Sequence, residues 1–354
     1  MNAQFTKHEL IFKQASGTSR GVLTTKETYL LEISENNKKG IGECAIFRGL
    51  SYDDVPDYEE KLTWLCENIN LDFEVLKKEL LHYPSIIFGL EQALLNLEHG
   101  EDLYFPSDFT DGKDSIKING LIWMGNADFM QSQIEEKLAK GFDCIKLKIG
   151  VDWKSEKEII KKLREKFPKE QLELRVDANG AFSYEEARMV LQELADLGIH
   201  SIEQPIKKSE VRSPKSEENS EKKSTDCCVP WNEMAKLCAE TPTPIALDEE
   251  LIGVIDFEEK KKLLETIKPQ YIILKPALVG GFSGSDEWIV LAESLGIDWW
   301  ITSALESNIG LNAICQYTYT KKNPLPQGLG TGALFTNNFE THLQLEGDQM
   351  WHKK

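Results

Sequence analysis

Two periodicities divide the chain. Up to about residue 45, apolar residues fall in short strand-like runs. Tyr29-Leu30-Leu31-Glu32-Ile33 is one, Asn36-Asn37-Lys38-Lys39-Gly40 is a polar turn with glycine at its end, and Ile41-Gly42-Glu43-Cys44-Ala45 reads as the return strand of a hairpin. Residues 52–100 read as helices, with Phe88–Leu97 apolar at helical spacing. From about residue 115, short apolar strands alternate with longer amphipathic helices. The pattern predicts strands at Ile116–Ile122, Cys144–Ile149, Leu172–Asp177, Ile199–Glu203, Ile245–Asp248, Tyr271–Lys275 and Trp299–Thr302, and helices such as Asp128–Lys140, Tyr184–Leu197 and Phe257–Ile267. Repeated βα units with one buried strand each predict a parallel sheet, open or closed into a barrel. Lys207–Thr225 breaks the pattern. It is Ser, Glu and Lys with almost no apolar content, and reads as a mobile surface loop. From about Gly332 the sequence is mixed again and is expected to pack against the N-terminal unit.

Composition narrows the class. A chain of 354 residues exceeds one average domain, so two structural units are expected. A net charge of −18 repels phosphate backbones and argues against nucleic acid as a partner. The seven cysteines are scattered with no C-x-x-C pair, which fits free thiols in a reducing compartment rather than a zinc ribbon. Lys7, His8 and Glu9 interrupt any leader-like start, and no apolar run is long enough to span a bilayer. A cytoplasmic protein without membrane contact is the expectation.

The chemistry lies at the strand ends. In a parallel α/β sheet all C-terminal strand ends share one side, where side chains distant in sequence converge. Three of the predicted strands end on carboxylates: Asp177 in Leu174-Arg175-Val176-Asp177-Ala178-Asn179-Gly180, Glu203 in Ser201-Ile202-Glu203-Gln204-Pro205, and Asp248 in Ile245-Ala246-Leu247-Asp248-Glu249-Glu250. Any one alone reads as a turn or capping acid. Three in successive units repel one another unless a cation lies between them, and an all-oxygen set selects Mg²⁺ first and Mn²⁺ next. In Ile145-Lys146-Leu147-Lys148-Ile149, strand alternation puts both amines on one face and the apolar residues on the other. Lysines snorkelling from a solvated strand would be the ordinary reading, but the apolar neighbours weaken it. Leu274-Lys275-Pro276 ends another strand. A lysine close to a second lysine and a metal has its charged form disfavoured, which makes it a usable base.

The order K-x-K, D-A-N-G, E-Q-P, D-E and L-K-P resembles the enolase superfamily, muconate-lactonising subgroup. That resemblance implies an α/β fold: a modified TIM barrel, (β/α)7β, capped by an α+β domain built from both chain ends. The implied organisation is 1–114 as cap, 115–331 as catalytic barrel with a polar insertion at 207–225, and 332–354 completing the cap. Ile118–Trp123, Pro242–Glu250, Lys275–Gly281 and Ser303–Gly310 look like the o-succinylbenzoate synthase family. The resemblance implies a metal-dependent lyase eliminating water from a cyclohexadiene carboxylate. Asp177, Glu203 and Asp248 would hold Mg²⁺ or Mn²⁺, Lys148 would move the proton, and Lys275 would stabilise the enolate from the opposite wall. Lys146 would lower the proton affinity of Lys148 and touch a small carboxylate substrate.

The remaining candidates carry plainer alternatives. Arg175 shares a strand face with Asp177 and would steady it, Lys146 or a substrate carboxylate; a structural ion pair accounts for it equally well. Asn179 would bond a ligand, or simply form an Asn-Gly turn. Glu249 should face away from Asp248 into an ion pair. Gly280 and Gly281 would offer amides to an anion or form a plain loop. Ser303 and Glu306 would shape the pocket. Two competing activities remain. A dipeptide epimerase or N-acylamino acid racemase would also use two lysines, but Gln327–Gly332 lacks the Asp-x-Asp usual in epimerases. A non-catalytic, metal-stabilised binding protein on the same scaffold would be expected to have lost a lysine.

Overall fold

In the computed structural model, residues 1–18, 21–123, 125, 127–208 and 231–353 are described. The predicted loop therefore lies outside the described residues from 209 onward, as do Cys227 and Cys228. The N-terminal pattern folds as an antiparallel sheet of β1 (Asn2–Thr18), β2 (Gly21–Glu35) and β3 (Lys38–Cys44). Alternation along β2 buries Tyr29, Leu31 and Ile33 completely. The turn lies earlier than the glycine suggested. Glu35 pairs with Lys38, and Asn36 and Asn37 both take positive φ, 49° and 64°, as a two-residue hairpin turn requires. Gly40 belongs to β3 instead. A Cβ there would lie 2.1 Å from the Ala93 carbonyl, so glycine lets a helix lie directly on the strand.

That helix is α3 (Pro84–His99), preceded by α1 (Tyr58–Asn68) and α2 (Phe73–Glu79). The alternating region follows as β4 (Ser115–Lys117), β5 (Gly120–Ile122), α4 (Ala127–Ala139), β6 (Cys144–Lys148), α5 (Trp153–Lys166), β7 (Glu173–Asp177), α6 (Tyr184–Asp196) and β8 (Ser201–Glu203). It continues with α7 (Asn232–Glu240), β9 (Ile245–Leu247), α8 (Phe257–Ile267), β10 (Tyr271–Leu274), α9 (Pro276–Val279), α10 (Gly281–Ser294), β11 (Asp298–Ile301) and α11 (Asn308–Lys321). The chain ends in the hairpin β12 (Leu343–Glu346) and β13 (Gln349–His352).

Strands β5 to β11 form one curled parallel sheet in sequence order. Two residues close it. Gln327 bridges Ile118 beside β5, and Gly328 bridges Thr302 beside β11, both parallel. The result is an α/β barrel with a ring of seven strands and a short eighth segment. The single strand predicted at Ile116–Ile122 is two strands. β5 belongs to the barrel, whereas β4 pairs antiparallel with β13. Residues near Phe335 run along β1, where Phe335 bridges Phe12 and the Thr336 amide donates to the Ile11 carbonyl at 2.8 Å.

Two buried carboxylates fix the N-terminal elements over the barrel. Glu43 on β3 accepts from the Ser307 and Gly310 amides, at 3.0 and 2.9 Å, where α11 begins. Glu91 on α3 accepts from the Phe282 and Ser283 amides at the start of α10. Each places a negative charge at the positive end of a helix dipole. Burial still pushes the Glu91 carboxyl up to about 7, against the hydrogen bonds from Ser283 and Phe282. The described cysteines, Cys44, Cys66, Cys144, Cys238 and Cys315, are all free. Among the described residues, no helix is long and apolar enough to cross a membrane.

Candidate active site

The barrel order sets the site. Counting the closing segment as the eighth position, β6 and β10 stand four steps apart in a ring of eight, on opposite walls. Lys148 ends β6 and Lys275 follows β10, while Asp177, Glu203 and Asp248 lie at the ends of β7, β8 and β9 between them. The side chains alternate as the sequence pattern requires. Ile145, Leu147 and Ile149 are buried in the core against the helices, and Lys146 and Lys148 face the barrel pocket.

Six charged groups pair off across the pocket. Lys146 Nζ lies 2.7 Å from Glu203 Oε2 and 3.4 Å from Asp177 Oδ2. Lys148 Nζ donates to Asp177 Oδ2 at 3.0 Å and also to Asn179 Oδ1. Lys275 pairs with Asp248 Oδ2. All three carboxylates are at most 2 % exposed. Burial opposes the charge on Lys146, but Glu203 and Asp177 outweigh it and hold its pKa above the ordinary lysine range. Burial is likewise outweighed at Lys275, by Asp248 and Glu203. For these two lysines the neighbouring carboxylates thus win over lysine–lysine repulsion. Asp177 falls below the usual carboxylate range, because Lys148 and Lys146 together overcome its burial. Glu203 is pushed up to about 8, by burial first and then by the neighbouring Asp177 charge.

Burial also raises Asp248, so both Glu203 and Asp248 call for a further cation. Glu203 Oε1 is buried with no hydrogen-bond partner among the described residues. An orphaned carboxylate oxygen in an all-oxygen donor set fits a hard divalent ion. As the side chains stand, the three carboxylates lean on lysines rather than on a common centre. The group of described residues whose ligand atoms all lie within 4.8 Å of one another is a different one, Asp102, His342 and His352.

The other candidates divide. Asn179 lines the pocket, accepts from Lys148 and donates to Glu249 Oε1 at 3.0 Å, so it orients the lysine. Glu249 lines the pocket too and does not face away from it. β9 ends at Leu247 and Glu249–Leu251 is a 3-10 turn, so strand alternation no longer applies at Glu249. Ser303 lines the pocket and donates to Glu306 Oε2 at 2.5 Å; Glu306 is fully buried behind it. Arg175 points into the barrel but below the pocket. It donates to Glu173 at 2.7 Å and to the Pro326 carbonyl at 2.9 Å, and its guanidinium lies 4.2 Å from the Trp300 ring centre. Gly280 and Gly281 lie outside the pocket lining, and the amides that follow them are taken by Glu91.

Sequence reasoning missed the apolar side of the pocket. Phe47, Leu50, Trp123 and Leu305 line it together with the charged groups. Phe47 and Leu50 lie between β3 and α1, where no periodicity distinguishes a pocket residue from a core residue.

The family described as "Enolase C-terminal domain-like" matches residues 130–216. The chain is 42% identical to the o-succinylbenzoate synthase of Desulfotalea psychrophila, over 98% of both chains. It is 33% identical to the N-succinylamino acid racemase of Thermus thermophilus, over 85% of this chain and 78% of that one. The crystal structure of MenC from Desulfotalea psychrophila superposes with a TM-score of 0.84 at 39% identity, covering 99% of each chain. The likeness thus covers nearly the whole length, and the chain belongs to the o-succinylbenzoate synthase family of the enolase superfamily.

Proposed function

We propose that the chain is a divalent-metal-dependent lyase that removes water from 2-succinyl-6-hydroxy-2,4-cyclohexadiene-1-carboxylate, giving o-succinylbenzoate for menaquinone biosynthesis in the cytoplasm. The observation that carries the reading is the pair of lysines on opposite barrel walls above three buried carboxylates. In this reading residues 115–331 form the catalytic barrel, and 1–114 with 332–354 form the cap.

The carbon acid next to a carboxylate is very weak, because its removal places a second negative charge on the carboxylate oxygens. Asp177, Glu203 and Asp248 are the residues that would hold Mg²⁺, with Mn²⁺ as a substitute. When bound, the ion supplies electrostatic stabilisation of that charge. Lys148, in its neutral form, accepts the proton from carbon. The electron pair left behind forms the new ring double bond as the C–O bond breaks. Lys148 then returns its proton to the departing hydroxyl on the same face, and water leaves. Lys275 presents its cation to the electron-rich ring from the other wall. Asn179 holds the Lys148 amine toward the substrate. Phe47, Leu50 and Trp123 keep bulk water from the ring.

The same two lysines would serve proton exchange at the α-carbon of an N-acylamino acid, and the likeness to the Thermus thermophilus racemase favours this as a second activity. Purified protein with Mg²⁺ is expected to aromatise the cyclohexadiene substrate, read by the ultraviolet change, faster than it racemises N-succinylamino acids. Fast racemisation with no aromatisation would reverse the order of the two activities.

A further inference from the structure

Outside the pocket, Asp102, His342 and His352 converge where the C-terminal hairpin meets the loop after α3. His342 precedes β12 and His352 ends β13; strand pairing sets Leu343 opposite His352 and so brings the two histidines together. His342 Nδ1 lies 2.6 Å, and His352 Nε2 3.0 Å, from one and the same oxygen, Asp102 Oδ2. The three ligand atoms all lie within 4.8 Å of one another. The two rings are inclined at 65° with centroids 5.4 Å apart, so their nitrogens reach one point without the rings overlapping. His352 is fully buried, and its Nδ1, like Asp102 Oδ1, is a buried atom with no hydrogen-bond partner among the described residues.

A hydrogen-bonded staple, in which the carboxylate accepts from two imidazoles, is the simpler account of these contacts. It leaves open why both nitrogens crowd one oxygen while the other oxygen stays buried and unpartnered. An ion shared by the three atoms accounts for the convergence. Metal–ligand bonds of about 2.0–2.2 Å at tetrahedral angles put neighbouring ligand atoms roughly 3.4 Å apart, so the carboxylate oxygen and the two nitrogens need open by only several tenths of an ångström to take an ion. Two imidazoles and one carboxylate suit Zn²⁺, Ni²⁺ or Cu²⁺ and not Mg²⁺, so the donor set is distinct in kind from the all-oxygen floor of the pocket. The side chain of His342 is 44% exposed, which leaves an entry path and an open coordination position.

We infer that Asp102, His342 and His352 form a transition-metal site of the Zn²⁺ class that pins the C-terminal hairpin to the loop after α3. With the ion on His352 Nε2, the ring proton moves to the unpartnered Nδ1. The missing outer partner weakens the site by roughly 10–100-fold relative to one that has it.

The test is calorimetric titration of the full chain with Zn²⁺, in excess Mg²⁺, followed by thermal melting with and without Zn²⁺. The wild-type protein is expected to take up one equivalent that raises Tm. His342→Ala and His342→Gln are each expected to weaken that uptake at least about tenfold and to lose the Tm rise. His342→Gln keeps a donor for Asp102 but offers no imidazole, so it separates the metal site from the staple. Zn²⁺ uptake that is absent in the wild type, or equal in all three proteins, overturns the inference.

Discussion

Lys148→Ala is expected to lower kcat for aromatisation by about 10⁴-fold while shifting the affinity for Mg²⁺ only severalfold. Positioned acid–base groups contribute typically 10²–10⁴-fold. The upper end applies here because in the proposed mechanism one amine performs both transfers, from carbon and to the departing hydroxyl. Within the described residues, Lys148 touches Asp177 Oδ2 and Asn179, and neither contact is made to Asp248 or Glu203. Losing the amine therefore leaves the contacts of Glu203 and Asp248 in place, and Asp177 keeps Lys146 at 3.4 Å. Ultraviolet progress curves give the rate, and a Mg²⁺ titration of the same preparation gives the affinity. A variant that keeps more than about a tenth of the wild-type rate would remove Lys148 from its role.

Withdrawing the divalent ion should be equally severe. Chelation is expected to bring turnover to background and added Mg²⁺ to restore it. Asp248→Asn is expected to raise the Mg²⁺ concentration needed by more than about 100-fold, since even an outer-sphere partner is worth 10–100-fold. The same substitution removes the carboxylate partner of Lys275, whose side chain is only 14% exposed. An uncompensated buried charge costs about 3–5 kcal/mol, so melting must be followed beside activity. Turnover that survives exhaustive chelation would contradict a metal-dependent reaction.

Much of this arrangement is legible in the linear chain because it depends on short periods. The period of two turns Lys146 and Lys148 to one side and Ile145, Leu147 and Ile149 to the other. The βα rhythm places Asp177, Glu203 and Lys275 at strand ends on one rim. What escapes depends on termination or on long-range closure. Ile116–Ile122 reads as one run, yet the chain breaks at Ile118 and Asn119 because Lys117 is drawn into the sheet with β13. The eighth barrel position is only Gln327 and Gly328, too short to leave a pattern. Glu249 turns inward because the strand has already ended. Arg175 is correctly placed on the inner face, but its stacking on Trp300 and its bond to the Pro326 carbonyl join segments more than 100 positions apart. Asp102, His342 and His352 carry no local motif at all.

The central claim is that Asp177, Glu203 and Asp248 share one ion beneath the substrate, flanked by Lys148 and Lys275. Anomalous diffraction from crystals grown with Mn²⁺ and o-succinylbenzoate tests it directly. The account predicts a single strong peak in the barrel, about 2.0–2.3 Å from an oxygen of each of the three carboxylates, with a product carboxylate on the same ion. A barrel free of any peak, or a peak that leaves one of the three carboxylates still held by its lysine, would contradict it.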